Sequence, residues 1–185
     1  MISDIISEAE LNMELAIEYV KEAFAAIRTG RAHPAMFAKI TADYYGAQTP
    51  LQQLASFQVP EARMVLITPF DKSSMNAIER AIRDSDLGVN PANDGNTIRV
   101  VLPMLTEERR KEYIKLAKSK AEEARVSVRN ARRDAKTALD KMVKDKEVGE
   151  DEVARAEKQL DLDTKKHTDL IDEVLRGKEA ELLEV

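Results

Sequence analysis

The sequence predicts an α+β protein: a long antiparallel three-helix bundle with a small inserted β/α/β domain, joined by a two-strand hinge. Three observations predict it. All six prolines, at 34, 50, 60, 69, 91 and 103, fall between residues 34 and 103. The flanks contain none and are rich in Ala, Leu, Glu, Lys and Arg, a composition that long helices tolerate. Each flank also carries apolar residues at alternating spacings of three and four, the width of one helix face. The expected domains are residues 1-30 plus 106-185 for the bundle and 31-105 for the insertion.

Taken in order, residues 2 to 28 place Ile6, Ala9, Met13, Ala16, Val20, Ala23 or Phe24, and Ile27 on one face, with Glu8, Glu14, Glu18 and Lys21 off it. The inserted stretch holds five of the eight aromatics. It has strand-like runs at 38–42, 57–59, 64–68 and 97–102. Ser73 to Arg83 places Ala77, Ile78, Ala81 and Ile82 on one side of a short helix, and Asp94-Gly95 signals a tight turn before the last run. Thr106 is a candidate cap for a second long helix, with Glu107 and Glu108 in its first turn, where carboxylates suit the positive end of the macrodipole. Its stripe is Ile114, Ala117, Ala121, Ala124, Val128, Ala131, Ala135, Ala138 and Met142. Gly149 is expected to break this helix, and Glu150 and Asp151 to open a third carrying Val153, Ala156, Leu160, His167, Leu170, Val174 and Leu182.

Two chain crossings, at Thr29-Gly30-Arg31 and at Pro103 to Thr106, would form the whole covalent joint, and a hinge is the default expectation for such a link. A second helix of about 40 residues spans about 60 Å, against about 40 Å for the first. Counting back from the joint puts the start of the first helix opposite residues near 132 and leaves a two-helix tip around Gly149. Three stripes on three helices can satisfy one another internally, which predicts a monomer.

The chain carries 29 Lys plus Arg against 34 Asp plus Glu, a net charge of −5 that looks unsuited to a polyanionic partner. The distribution is uneven. Residues 1 to 105 sum to −4, 106 to 145 to +5, and 146 to 185 to −6. Within the basic segment, Lys111, Lys115, Lys118, Arg125, Arg129, Arg132 and Lys136 recur at helical spacing away from the alanine seam, with Arg129-Asn130-Ala131-Arg132-Arg133 the densest knot. Arginine's planar fork binds phosphate bidentately, so such a row can track a nucleic-acid backbone. A solvated face ion-paired with the acidic third helix accounts for the same spacing, and the residues alone leave both readings open.

Catalytic chemistry has little to work with. There is no Cys, which removes thiolate metal sites and a Cys nucleophile and suits a reducing compartment. His33 and His167 stand far apart, the first at the joint and the second on the helix-three seam as a core-edge residue. Asp84-Ser85-Asp86-Leu87-Gly88 begins like a calcium loop, but Gly95 stands where a bidentate Glu is required. The six glycines are isolated, so no phosphate-cradling loop exists. Tyr44-Tyr45-Gly46 sets adjacent aromatics beside a turn, with at least one ring expected at the surface. The N-terminus is acidic where a signal peptide needs basic residues, and no apolar run reaches the ~20 residues of a membrane span, so the expected location is cytoplasmic.

Six strings in order, Arg28-Thr29-Gly30-Arg31-Ala32, Tyr44-Tyr45-Gly46, Pro69-Phe70-Asp71-Lys72, Ser85-Asp86-Leu87-Gly88, Leu105-Thr106-Glu107-Glu108-Arg109-Arg110 and Arg129-Asn130-Ala131-Arg132-Arg133-Asp134, resemble the bacterial ribosome recycling factor family over the whole chain. The resemblance implies an L-shaped, two-domain, non-enzymatic factor without cofactor. Such factors bind post-termination ribosomes through large-subunit ribosomal RNA and split them into subunits with elongation factor G and GTP, releasing mRNA and deacylated tRNA. It also implies RNA contacts at Arg110, Arg129 and Arg132, with Arg133 adjacent, and a joint at Gly30, Arg31, Leu105 and Thr106. Lys118 and Arg125 join the expected RNA-binding set through their place in the basic row. Two departures are Ala131, where a larger aliphatic is usual, and His33, where a small polar residue is common. A coiled-coil adaptor that binds proteins through its heptad seam is the alternative; it requires an exposed seam and self-association.

Overall fold

In the computed structural model, which describes residues 1–184, the chain forms two compact units. One comprises Met1–Ile27 and Lys111–Ala180, the other Arg28–Arg110 joined by the chain's end from Glu181. The boundaries therefore lie at 27/28 and 110/111, a few residues outside the expected 30/31 and 105/106. A third crossing enters at 180/181, where a two-crossing joint was expected. Arg31 is ion-paired with Glu184 at 2.8 Å in the second unit, and Leu182 is buried.

The first unit consists of three long helices: α1 (Ile2–Ala25), α4 (Glu107–Lys144) from Lys111 onward, and α5 (Glu150–Leu183) up to Ala180. α1 buries Ala9, Met13, Ala16, Ile17, Val20 and Phe24, close to the expected stripe. Thr106 does cap α4: its Oγ1 accepts from the Arg109 backbone N–H at 3.1 Å. The seam of α4 runs Ala117, Ala121, Ala124, Val128, Ala131, Ala135, Leu139 and Met142, so Leu139 replaces the expected Ala138. On α5 Ile171 is fully buried, and the expected Leu170 is exposed.

Both slips have one cause. A strict three-four alternation assumes 3.5 residues per turn, but a straight helix turns every 3.6, and the seam recovers the difference with two consecutive steps of four. Those steps fall at 131–135–139 and 163–167–171. Replacing Ile171 by Ala is expected to destabilise the bundle by about 3 kcal/mol and Leu170→Ala by under about 0.5 kcal/mol, read from denaturant midpoints at constant slope.

Two polar residues enter the α5 seam. His167 is 2% exposed, well inside the core rather than at its edge, and its Nδ1 lies 2.6 Å from the Asp163 carbonyl oxygen, which requires the proton on Nδ1. Asp163 is itself buried and accepts from Gln159 at 2.9 Å.

The tip of the bundle differs from expectation. Ile2, Ile5 and Ile6 pack with Val143, Val148, Leu139 and Val153, so α1 reaches the turn between α4 and α5 and no two-helix tip projects beyond it. The Tyr19 hydroxyl donates to Glu123 at 2.7 Å, which sets residue i of α1 opposite about 142 minus i on α4. The start of α1 therefore lies opposite residues near 140 of α4, where counting back from the joint gave residues near 132. The α4 stop also comes earlier than Gly149. Lys146 adopts φ 58°, Glu147 N–H donates to the Met142 carbonyl at 2.9 Å and Lys146 N–H to the Val143 carbonyl at 3.0 Å. This is a Schellman motif with lysine in the left-handed position that glycine usually takes.

The second unit has two antiparallel sheets. β1 (Thr41–Tyr44) and β2 (Ala47–Pro50) form a hairpin, and β3 (Ala55–Glu61), β4 (Met64–Pro69), β6 (Ile98–Val101) and β5 (Ala92–Asn93) form a four-stranded sheet in the order β3-β4-β6-β5. One helical turn, α2 (Leu51–Leu54), links the sheets, and α3 (Met75–Arg83) packs against β1. Only Thr41 and Ala42 of the 38–42 run are strand: a 3-10 turn at Pro34–Phe37 precedes it, Ala38 and Lys39 continue as a turn, and β1 begins at Thr41. Proline and alanine near its start favour the turn, and the two-residue hairpin then carries the strand on to Tyr44. Phe37, Leu51, Val65, Ile67, Ile78, Ile82, Ile98, Val100 and Leu102 fill the core. Pro60 sits on edge strand β3 within the register shift between Gln58 and Glu61, where a missing donor costs no ladder bond. Asp94 closes the β5–β6 turn by accepting from the Asn96 and Thr97 backbone N–H groups and the Thr97 hydroxyl, and these bonds hold its carboxyl below the usual aspartate range.

Candidate nucleic-acid interface

The basic row lies on the flank of α4 beside its buried alanine seam, and its side chains fall into two groups. One faces α5. Arg125 donates through Nε (2.9 Å) and Nη2 (2.6 Å) to Asp172 Oδ1, and through Nη1 to Glu122 at 3.0 Å. Arg132 meets Asp161 Oδ1 through Nε at 2.7 Å and Nη2 at 2.6 Å. Lys118 lies 3.9 Å from Glu179, and Lys136 3.8 Å from Glu157. The other group faces outward: Arg129 is mostly exposed with one contact to Glu122 at 3.2 Å, and Arg133 donates to Asn130 at 3.1 Å within its own helix.

The physical states of these arginines differ. Only 20% of the Arg125 side chain is exposed. Desolvation opposes its charge, yet bonds to Asp172 and Glu122 overcome this and hold the guanidinium even more firmly protonated. Glu122 in turn is held below the usual glutamate range by hydrogen bonds from Arg125 and then Arg129. Arg125 thus has both edges of its fork engaged and clips α4 to α5. Arg129, Arg132 and Arg133 remain accessible along about one turn of helix.

The remaining expected residues are more dispersed. Arg110 is half-buried and lies in the second unit, with its Nε enclosed and without a hydrogen-bond partner. Near the joint, Arg28 donates to the Leu87 carbonyl at 3.3 Å and the Pro103 carbonyl at 3.1 Å. Within the second unit, backbone bonds from Ala32 to Ala62 and from Leu102 to Arg63, both 2.7 Å, hold these segments to the β3–β4 turn. Gly30 lies between two of these anchors, Leu105 is half-buried, and Arg31 and Thr106 are exposed.

His33 accepts from the Ala35 N–H at 3.0 Å as the cap of the 3-10 turn, a local structural role. Among the described residues no group of His, Cys, Asp or Glu is arranged to hold a metal ion, and no helix is long and apolar enough to cross a membrane.

Tyr45 is the exposed member of the tyrosine pair, at 83%. The reason is the turn rather than strand alternation: Tyr45 (φ 51°) and Gly46 (φ 84°) are the two central residues of the β1–β2 hairpin. Its ring packs edge-on against Tyr44 at 4.6 Å, and the Tyr44 hydroxyl donates to Asp71 at 3.1 Å. The pairing of the basic row with α5 was the residue-level feature that spacing alone could not resolve. The available signal was the seven-residue interval separating Lys118, Arg125 and Arg132, which matches the interval between Asp172 and Glu179.

Comparison with known proteins bears on what this strip serves. Residues 20–183 match the family model described as ribosome recycling factor. The ribosome-recycling factor of Kineococcus radiotolerans is 69% identical, and that of Streptomyces avermitilis 67%, each over the full length of both chains. A solution structure of a ribosome recycling factor superposes with a TM-score of 0.83 at 42% identity, covering 100% of this chain and 98% of that one. A T. thermophilus ribosome recycling factor, described together with E. coli elongation factor G bound to the E. coli post-termination complex, gives a TM-score of 0.70 at 38% identity over the whole of both chains. The chain belongs to the ribosome recycling factor family.

Proposed function

We propose that this protein binds post-termination ribosomes and, with elongation factor G and GTP, splits them into subunits, releasing mRNA and deacylated tRNA. The observation that carries this reading is its full-length likeness to a recycling factor described with elongation factor G on a post-termination complex. It is a non-enzymatic factor of the cytoplasm, and GTP hydrolysis is the partner's work. The bundle anchors on large-subunit ribosomal RNA through Arg129, Arg132 and Arg133, whose accessible forks suit phosphate. Arg110, half-buried in the second unit, is a separate candidate contact, while Lys118 and Arg125 set the charge and spacing of the strip. The second unit swings about a joint at Gly30, Arg31, Leu105 and Thr106, residues that lie just inside its boundaries at 27/28 and 110/111. An adaptor working through an exposed heptad seam is disfavoured, since Ala117, Ala121, Ala124 and Val128 have no exposure in a single chain. The same burial supports a monomer.

The test is sedimentation of post-termination ribosomes with this protein, elongation factor G and GTP. Free subunits are expected only with all three present. Intact ribosomes in the complete mixture, under conditions where a known recycling factor splits them, would overturn the assignment.

A further inference from the structure

The carboxylates that α5 presents to the basic strip treat its two inner arginines differently. Arg125 has both edges of its guanidinium occupied, by Asp172 and Glu122. Arg132 is gripped on one edge only, Nε and Nη2 converging on a single oxygen of Asp161, and among the described residues it has no further acceptor. A guanidinium has a second edge, formed by its two terminal nitrogens, that fits two oxygens of a phosphate. The Asp161 side chain is itself 58% exposed, so its charge stands beside the position such a phosphate would take.

We propose that Asp161 is a positioning and selectivity residue of the RNA interface. By holding the inner edge of Arg132 it fixes where the outer edge points, so a phosphate in one place is bound bidentately. The same carboxylate repels polyanions whose phosphates lie elsewhere. A structured RNA that presents a phosphate at that point gains the aimed fork and tolerates the carboxylate. A flexible strand gains only screened attraction and meets the repulsion. Asp172 serves as the comparator, because releasing it frees a fork that is folded back onto the protein. This rests on the reading of the strip as the ribosomal-RNA anchor.

The experiment compares Asp161→Asn with the natural protein on two ligands, purified large ribosomal subunits and poly(U). Loss of one local negative charge should raise poly(U) affinity about 3-fold at low salt. Loss of the aimed fork should lower large-subunit affinity by about 3- to 10-fold, so the ratio of the two affinities falls by roughly tenfold or more. Asp161→Glu, which keeps the charge, should restore poly(U) affinity to within about 2-fold of the natural protein. Asp172→Asn should raise poly(U) affinity without lowering large-subunit affinity. An equal rise on both ligands for Asp161→Asn, or no change on either, would overturn the proposal. Arg129→Gln with Arg132→Gln is measured alongside. Unchanged large-subunit binding there would refute the interface itself, whatever Asp161→Asn does. Helical circular dichroism and thermal melts confirm that each variant is folded.

Discussion

Replacing Arg129 and Arg132 together by glutamine is expected to weaken binding to the large ribosomal subunit by roughly 30-fold near physiological salt and to lower the slope of log affinity against log salt by about two. The two side chains are well exposed, at 56% and 40%, so their loss would remove the proposed phosphate contacts without opening the core. Removing Arg132 also leaves the Asp161 carboxylate unpaired in the proposed interface, which would add repulsion to the lost attraction. The informative contrast is Arg125→Gln. That side chain is largely enclosed and committed to Asp172 and Glu122, so its loss should reduce bundle stability and leave the salt slope within about half a unit of the original. A binding titration repeated at several salt concentrations separates the two. An unchanged slope in the double variant would show that the strip is not the anchor.

That contrast also shows where sequence reasoning stops. The three long helices and their stripes were legible, because Ala, Val and Met recurring over ten turns outweigh any local ambiguity. The cap at Thr106 and the turn at Asp94-Gly95 were legible because each rests on one residue's own hydrogen-bonding chemistry. Leu139 and Ile171 were not, since a tenth of a residue per turn accumulates to a whole position only after several turns. The stop at Lys146 was hidden because a left-handed lysine has no compositional sign, whereas Gly149 three residues later has a strong one. The reach of α1 to the tip was missed because counting back from the joint assumed a register that the Tyr19–Glu123 bond shows to be about two turns off. For the interface, spacing gave a row of seven bases but not their partners. Which bases meet α5 depends on the antiparallel register, and that is set by the turn after Lys144.

Stiffening the joint should have the other large effect. Gly30→Pro is expected to leave both units folded and large-subunit binding within about 3-fold, while slowing subunit splitting by roughly tenfold or more. A Cβ at residue 30 would meet nothing within 4 Å, so Gly30→Ala isolates added bulk from added rigidity and should split ribosomes at close to the natural rate. Both flanking residues are pinned inside the second unit, Arg28 to the Leu87 and Pro103 carbonyls and Ala32 to the Ala62 carbonyl, so the proline acts just inside the 27/28 boundary. Residues 29–31 are the first short stretch of chain after it enters the second unit. The Arg31–Glu184 pair does not lock this stretch, because both partners are more than half exposed and such a pair is worth at most about 1 kcal/mol. Full splitting activity in Gly30→Pro, with the proline variant shown to be folded, would mean that the swing is absorbed elsewhere. Leu105 and Thr106, just ahead of α4 and a few residues before the second crossing at 110/111, would then be the place to stiffen next.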